Sequence, residues 1–391
     1  MESASSCPST APCHRIHWFG TGFDLLEAKV TAIAEAKSSI RMETYIYTDE
    51  EIGRRFREAL VAAGKRGVKV KLLVDAVGGS ELPHDYFKEL DELEGSHMKW
   101  FNRPSLATWS FRDHRKLLII DRSIAFVGGC NIASEYHGNG VTHGWRDGGA
   151  RVDGPVAEEL ATEFERMWVA ANARQWVSEV AKAVKRPKSG MVNDPCGNVQ
   201  PLFVRPGFGR SPLIDAIRTD LKQARLIDIT SAYFLPSRSL RRQLGGAVAR
   251  GACVRLLLGG KSDVKLMQLA TRSIYSRLLD ARIEVWEYEP QVLHSKILVL
   301  DDVVYVGSSN LDPRSLRINF EVMLRIEDAA LAQEVKEAFE QDLLLSKRIT
   351  PEQHTRIGWW TKLKQKCAHW ILAHVDPRMA EGMLRRLENR A

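Results

Sequence analysis

The stretch DHRKLLIIDRSIAFVGGCN, Asp113 to Asn131, decides how this chain is read. Its two apolar runs, LLII and IAFV, flank an Asp-containing turn, which is the pattern of a hairpin in the middle of a sheet. Side chains at i and i+2 of a strand share a face, so His114 and Lys116 are expected to point the same way. The returning arm ends in Gly128 and Gly129, where an anion can approach the backbone closely, and Asn131 follows with an amide donor. Taken alone, the stretch reads most simply as a hairpin whose histidine is satisfied locally and whose lysine reaches out to water.

A second copy weakens that reading. LHSKILVLDDVVYVGSSN, Leu293 to Asn310, repeats the stretch, so that H-x-K-x4-D-x6-G-G-x-N is answered by H-x-K-x4-D-x5-G-S-x-N with one turn residue fewer. His294, Lys296, Asp301, Ser308 and Asn310 thus correspond to His114, Lys116, Asp121, Gly129 and Asn131.

The elements ahead of each copy repeat as well. In the first half the periodicity predicts a helix over Asp24 to Ala36, a strand in IRMETYIY, a helix in DEEIGRRFREALVAAGKRG and a strand in VKVKLLVD. A helical stretch, Tyr86 to Glu94, and the strand MKWF follow. The second half replays this as Leu213 to Ala224, LIDITSAYF, SRSLRRQLGGAVARG, ACVRLLLGG, Leu266 to Leu279 and IEVWEY, with Gly251 answering Gly67 at a helix end. Strands alternating with helices in two matching series predict two α/β halves, each with a parallel or mixed sheet. The boundaries expected are a disordered tail over 1–12, a first half over 13–183, a linker over 184–197 and a second half over 198–345, with an amphipathic segment over 346–391.

Bulk properties narrow the partners. A net charge of +7 and a pI of about 9.0 favour a polyanion, either nucleic acid or an anionic membrane surface. No apolar run approaches the roughly 18 residues that span a bilayer, so a soluble or peripheral, cytosolic protein is expected. The six cysteines lack paired spacing, which argues against a zinc site or a disulfide scaffold.

Brought together across a pseudo-twofold interface, the two motifs supply two imidazoles, two ammonium groups and two amides to one pocket. That set suits a phosphodiester. Lys116, Lys296, Asn131, Asn310 and Ser308 are expected to hold the phosphate oxygens, one histidine to attack phosphorus, and the other to protonate the leaving oxygen. The lysines supply the positive charge a metal would bring, so neither a metal nor another cofactor is expected. With both motifs in one chain, a dimer is not required to complete the site.

Both segments match the HKD motif of the phospholipase D superfamily. SAYFLPSRSL, RLLLGGKSD, LHSKILVLDD and VGSSNLDPRSLRINFEV resemble its bacterial cardiolipin synthase branch, in the form without N-terminal transmembrane helices. The resemblance implies two similar α/β/α sandwich halves related by a pseudo-twofold axis, with the active site at their interface. It implies that His114 forms a phosphohistidine and that His294 is general acid and then general base. Each histidine in such enzymes is oriented by a carboxylate downstream of the opposite motif, which by spacing assigns Asp147 to His294 and Glu321 to His114. Asp121 and Asp301 are motif members, placed by the pattern at the hairpin turn.

The implied reaction transfers a phosphatidyl group from one phosphatidylglycerol to another and releases glycerol, on the cytoplasmic side of a bacterial inner membrane. Alternatives are hydrolysis, a phosphatidylethanolamine donor or a different alcohol. A superfamily nuclease is disfavoured because no dense basic stretch interleaved with aromatics lies near the motifs. The tail IGWWTKLKQKCAHWILAHV, whose Trp360, Leu363, Cys367, Trp370 and His374 form one helical stripe beside Lys362, Lys364 and Lys366, fits an interfacial helix on an anionic bilayer and equally a helix packed on its own protein. The loop SLATWSF, Ser105 to Phe111, is a second candidate for membrane contact.

Overall fold

Each hairpin lies at the centre of a mixed sheet. The computed structural model describes residues 14–103, 108–171, 198–207, 209–352 and 358–388. The expected tail over 1–12 and linker over 184–197 lie outside the described residues, as does part of the loop Ser105 to Phe111.

The first sheet holds β1 (Arg15–Phe19), β2 (Ser39–Thr44), β3 (Lys69–Asp75), β4 (His97–Phe101), β5 (Leu117–Ile120), β6 (Ile124–Gly128) and β7 (Gly149–Asp153), in the order β1-β7-β6-β5-β2-β3-β4. The second holds β8 (Val199–Val204), β9 (Leu226–Ser231), β10 (Cys253–Gly259), β11 (Glu284–Tyr288), β12 (Lys296–Leu300), β13 (Val303–Gly307), β14 (Glu321–Glu327) and β15 (Ser346–Ile349). Read from its β8 edge, the second sheet has the same order as the first, with β15 added beside β11. In both, the strands ahead of the motif pair parallel and the hairpin arms pair antiparallel. The duplication read from the motifs is therefore a duplication of topology.

The hairpin strands are apolar on both faces because both faces are covered. Leu117 and Ile119 of β5 join a core shared by the two sheets, whereas Leu118 and Ile120 pack outward beneath the helices Gly22–Glu35 and Glu51–Lys65. β12 repeats this, with Val299 in the shared core and Leu298 and Leu300 facing outward. The helices Val156–Ala170 and Ala329–Leu344 also contribute to the shared core. Gly67 and Gly251, both at positive φ (87° and 94°), end the corresponding helices, a conformation glycine adopts without a Cβ penalty.

Three expectations are corrected. The helix predicted over Tyr86 to Glu94 is a single turn, Lys88–Asp91, of which only Leu90 is buried. The helix predicted over Leu266 to Leu279 is two, Lys265–Arg272 and Tyr275–Asp280; the Ser273 hydroxyl between them donates to the Ala270 carbonyl at 2.6 Å, a local bond that competes with the helix. His114 and Lys116 precede β5 rather than lying within it, in an extended stretch that bridges Asp113 to Phe320 of the other half.

Candidate active site

That bridge brings the two motifs together. The His114 amide donates to the Phe320 carbonyl at 3.0 Å, and in the matching place the His294 amide donates to the Arg146 carbonyl at 2.8 Å. Each histidine is therefore tied by its backbone to the segment that follows the other half's hairpin. Asp147 and Glu321 lie one residue beyond those two carbonyls.

The side chains complete the exchange. Nδ1 of His294 lies 2.7 Å from Asp147 Oδ2, and Nδ1 of His114 lies 3.0 Å from Glu321 Oε1. An ionised carboxylate only accepts, so with Asp147 and Glu321 ionised each ring carries hydrogen on Nδ1 and keeps the Nε2 lone pair. The carboxylates are held in turn: Asp147 accepts from the Gly148 amide at 2.8 Å, and Glu321 accepts from the Ser308 hydroxyl at 2.6 Å. Between His114 and Lys116, Arg115 points the other way into a buried ion cluster with Asp113, Glu43 and Glu163, which fixes the strand entrance.

Lys116 donates to the His114 carbonyl at 2.6 Å, and Lys296 makes the same bond to the His294 carbonyl. Both lysines are almost fully buried. Burial pushes Lys116 down to about 7 and lowers Lys296, against the pull of Glu321 on the first and Asp147 on the second. Burial and the Lys296 ammonium push His294 down to about 4 despite Asp147, while burial together with Lys116, Lys296 and Arg314 holds His114 well below its usual value. Glu321 is pushed by burial up to about 7, with Lys116 opposing. Both lysines thus act on both histidines, as expected of one pocket. A buried cluster of groups whose protonation is disfavoured by burial and by one another suits an anion, whose charge offsets that penalty.

Not every expected residue joins the site. Asp121 and Asp301 sit at the distal turns of their hairpins with φ of 51° each. Asp121 accepts from the amides of Lys37, Ser38 and Ser39 at 2.7–2.9 Å, and Asp301 from those of Arg225 and Leu226 at 2.8–3.1 Å, so they clamp the loops leading into β2 and β9. The Ser308 hydroxyl is committed to Glu321 and accepts from the Val322 amide, which makes it a support for that carboxylate rather than a phosphate ligand. Asn131 is held at both ends, accepting from the Ile46 amide at 3.1 Å and donating to the Tyr136 hydroxyl at 2.8 Å. Asn310 accepts from the Tyr233 amide at 3.3 Å through its oxygen, which directs its amide nitrogen to be the donor.

The structure adds aromatic groups that the motifs did not announce. Tyr136 and Trp145 pack against His294 with ring centroids 5.1 and 5.4 Å away, and Tyr45 lies 5.0 Å from His114. None has a repeated counterpart, which removes the signal that exposed the histidines. Among the described residues, no group of three or more His, Cys, Asp or Glu side chains is placed to hold a metal ion.

The C-terminal segment packs and protrudes at once. The helix Trp359–Trp370 buries Gln365 and Ala368 against the helix Lys265–Arg272, while Trp359, Trp360, Leu363 and Trp370 are 45–63% exposed with Lys362, Lys364 and Lys366 around them. His374, expected on the same stripe, is half-buried. Ala380 and Leu384 of the final helix, Asp376–Glu388, enter the shared core, and Asp376 accepts from Arg314 at 3.1 Å. Among the described residues, no helix is long and apolar enough to cross a membrane.

Residues 30–168 and 217–343 match the family model described as cardiolipin synthase, PLD-like domain. The chain is 33% identical to the major cardiolipin synthase of Bacillus subtilis, over 90% of this chain and 73% of that protein. It is 32% identical to cardiolipin synthase B of Salmonella typhi, over 92% and 88%. Among solved structures, phosphatidylserine synthase of Haemophilus influenzae has a similar fold, with a TM-score of 0.72 over 93% of this chain and 94% of that one at 16% identity.

Proposed function

Because this chain belongs to the cardiolipin synthase family of phospholipase D-like proteins and is a phosphatidyltransferase, we propose that it joins two phosphatidylglycerol molecules into cardiolipin and releases glycerol. The observation that carries this reading is the crossed pairing of His114 with Glu321 and His294 with Asp147, which supplies two oriented imidazoles to one lysine-lined pocket.

In the first step, Nε2 of His114 attacks phosphorus and the bond to the glycerol oxygen breaks. His294, protonated as the lipid's negative charge enters the site, delivers its proton to that oxygen. In the second step, neutral His294 takes the proton from the hydroxyl of a second phosphatidylglycerol, whose oxygen attacks phosphorus as the bond to His114 breaks. Lys116, Lys296 and the Asn310 amide hold the non-bridging oxygens. Water competes with the alcohol in the second step, and a site covered by lipid favours transfer.

The substrates lie in a bilayer, and the exposed indoles and lysines of the helix Trp359–Trp370 suit an anionic membrane surface, reached from the cytoplasmic side. The test is mass spectrometry of lipids after incubation with phosphatidylglycerol vesicles, with and without phosphatidylethanolamine. Cardiolipin and glycerol from phosphatidylglycerol alone are expected, and none from His114→Ala. Phosphatidic acid as the sole product identifies a hydrolase and overturns the reading; cardiolipin only when phosphatidylethanolamine is present overturns the donor.

A further inference from the structure

The two halves place their histidines alike but do not treat them alike. On the His294 side, the Tyr136 hydroxyl lies 3.5 Å from Nε2, and its oxygen already accepts from Asn131 Nδ2 at 2.8 Å. The phenol is 1% exposed, and its ring packs edge-on against the imidazole and against Trp145, so its place is fixed. With Asn131 donating to its oxygen, the phenol hydrogen is free to point elsewhere, and the lone pair of His294 Nε2 is the acceptor beside it. The residue in the corresponding place after Asn310 is Ser315, whose hydroxyl serves Glu321 instead. His114 therefore has no phenol at this place.

We infer that Tyr136 is a positioning residue that makes the duplicated site unequal: its hydroxyl, anchored by Asn131, holds Nε2 of His294 for proton transfer and leaves attack on phosphorus to His114. A hydroxyl that donates to Nε2 stabilises the neutral ring, the form that takes the acceptor's proton in the second step. Catalytic hydrogen bonds of this kind shorten when substrate is bound. This inference rests on the proposed roles of His114 and His294.

The experiment uses the full-length protein on phosphatidylglycerol labelled at phosphorus. Enzyme is loaded with label, then mixed with unlabelled acceptor lipid, and the rate of the second step is followed across pH for the parent and for Tyr136→Phe. Phenylalanine keeps the ring contacts and removes only the hydroxyl. Loss of the bond to the neutral ring raises the pH at which His294 becomes a base, so the rate profile moves to higher pH by about half a unit to one unit. At pH values below the midpoint the second step slows about 3- to 10-fold, while the plateau at high pH and the KM for acceptor stay within about twofold. A purely structural role lowers the plateau without moving the profile, and that result, or an unchanged profile, overturns the inference. His294→Ala separates the two levels of argument. If it leaves the pH dependence of the second step intact, the proposed role of His294 fails; if it abolishes that dependence and Tyr136→Phe does not shift it, only Tyr136 fails.

Discussion

Replacing Lys116 with methionine is expected to abolish activity and make the protein more stable. The ammonium is 1% exposed, and burial lowers its proton affinity from the ordinary 10.5 to about 7. A depression of about 3.5 units corresponds to roughly 5 kcal/mol held against folding at pH values where the folded lysine is protonated. Methionine has similar length and carries no charge, but it gives up the hydrogen bond to the His114 carbonyl, about 1 kcal/mol. Strain of fit reduces the gain further, to about 2–4 kcal/mol. Because the folded lysine releases its proton near 7 while the unfolded one holds it to 10.5, the unfolded chain binds more protons between those values. Parental stability therefore recovers as pH rises through that window. The advantage of Lys116→Met is expected to be about 2 kcal/mol smaller at pH 8.5 than at pH 6.5. Urea unfolding of both proteins at the two pH values, in buffer free of phosphate, measures it. A variant less stable than the parent at pH 6.5, or a difference that ignores pH, refutes the claim that this lysine is held at the expense of folding.

Asp147→Asn keeps the acceptor for the Gly148 amide but presents an amide nitrogen to His294 Nδ1, forcing the wrong tautomer; turnover is expected to fall about 10²- to 10⁴-fold with the fold retained, and near-parental kcat would reject the pairing. At Gly129 an added Cβ would lie 2.3 Å from Asp147 Oδ1, so Gly129→Ala is expected to displace that carboxylate and reproduce the loss, which a kcat measurement beside a thermal melt checks. Asp121→Ala removes the acceptor for three amides at a position with φ of 51°, and is expected to lower stability by about 2–4 kcal/mol while the folded fraction keeps its kcat; a selective loss of kcat would return Asp121 to the chemistry. Replacing Lys362, Lys364 and Lys366 together by glutamine is expected to weaken flotation with anionic vesicles about 100-fold at low salt, and much less at 0.5 M salt, where charge is screened; equal flotation at low salt would remove the helix from the membrane contact.

The parts of this molecule that were legible in its sequence are those the chain writes twice. The His-x-Lys pairs, the apolar hairpins and the helix-ending glycines Gly67 and Gly251 each have a partner at matching spacing, and chance rarely repeats such a set. Asp147 and Glu321 are legible only through family resemblance, because no local periodicity marks a carboxylate that serves a distant histidine. Ser308 and Asn131 were assigned to phosphate on chemistry alone; their actual partners, Glu321 and Tyr136, depend on where β14 and the turn after Asn131 come to rest. The apolar spacing from Leu266 to Leu279 continues through Ser273 and so predicts one helix, because periodicity does not register a hydroxyl bonded to its own backbone. Amphipathicity likewise left open which face of the C-terminal helix meets the protein. The packed face is the small one, Gln365 and Ala368, and the indoles are outside. Because Ala380 and Leu384 enter the shared core, cutting the segment away would disturb the fold, so point substitutions are the better probe.

Duplication alone gives two equal imidazoles, whereas the proposed transfer in two steps needs one that attacks and one that moves protons. The inequality is built from residues that broke the repeat. Gly129 admits the short Asp147 hard against the hairpin, whereas Ser308 in the corresponding place bonds the longer Glu321. Arg115 anchors the first motif in a buried ion cluster, whereas the Ser295 hydroxyl in the second donates to the Arg146 carbonyl. The His294 ring is enclosed by Tyr136 and Trp145, and its side chain is 5% exposed against 14% for His114. In the proposed mechanism the more open ring is the one that meets the bulky lipid phosphorus. The enclosed ring, tied at Nδ1 to Asp147, is the one whose motion is most restricted, which suits a group that must give a proton and take one back in the same geometry.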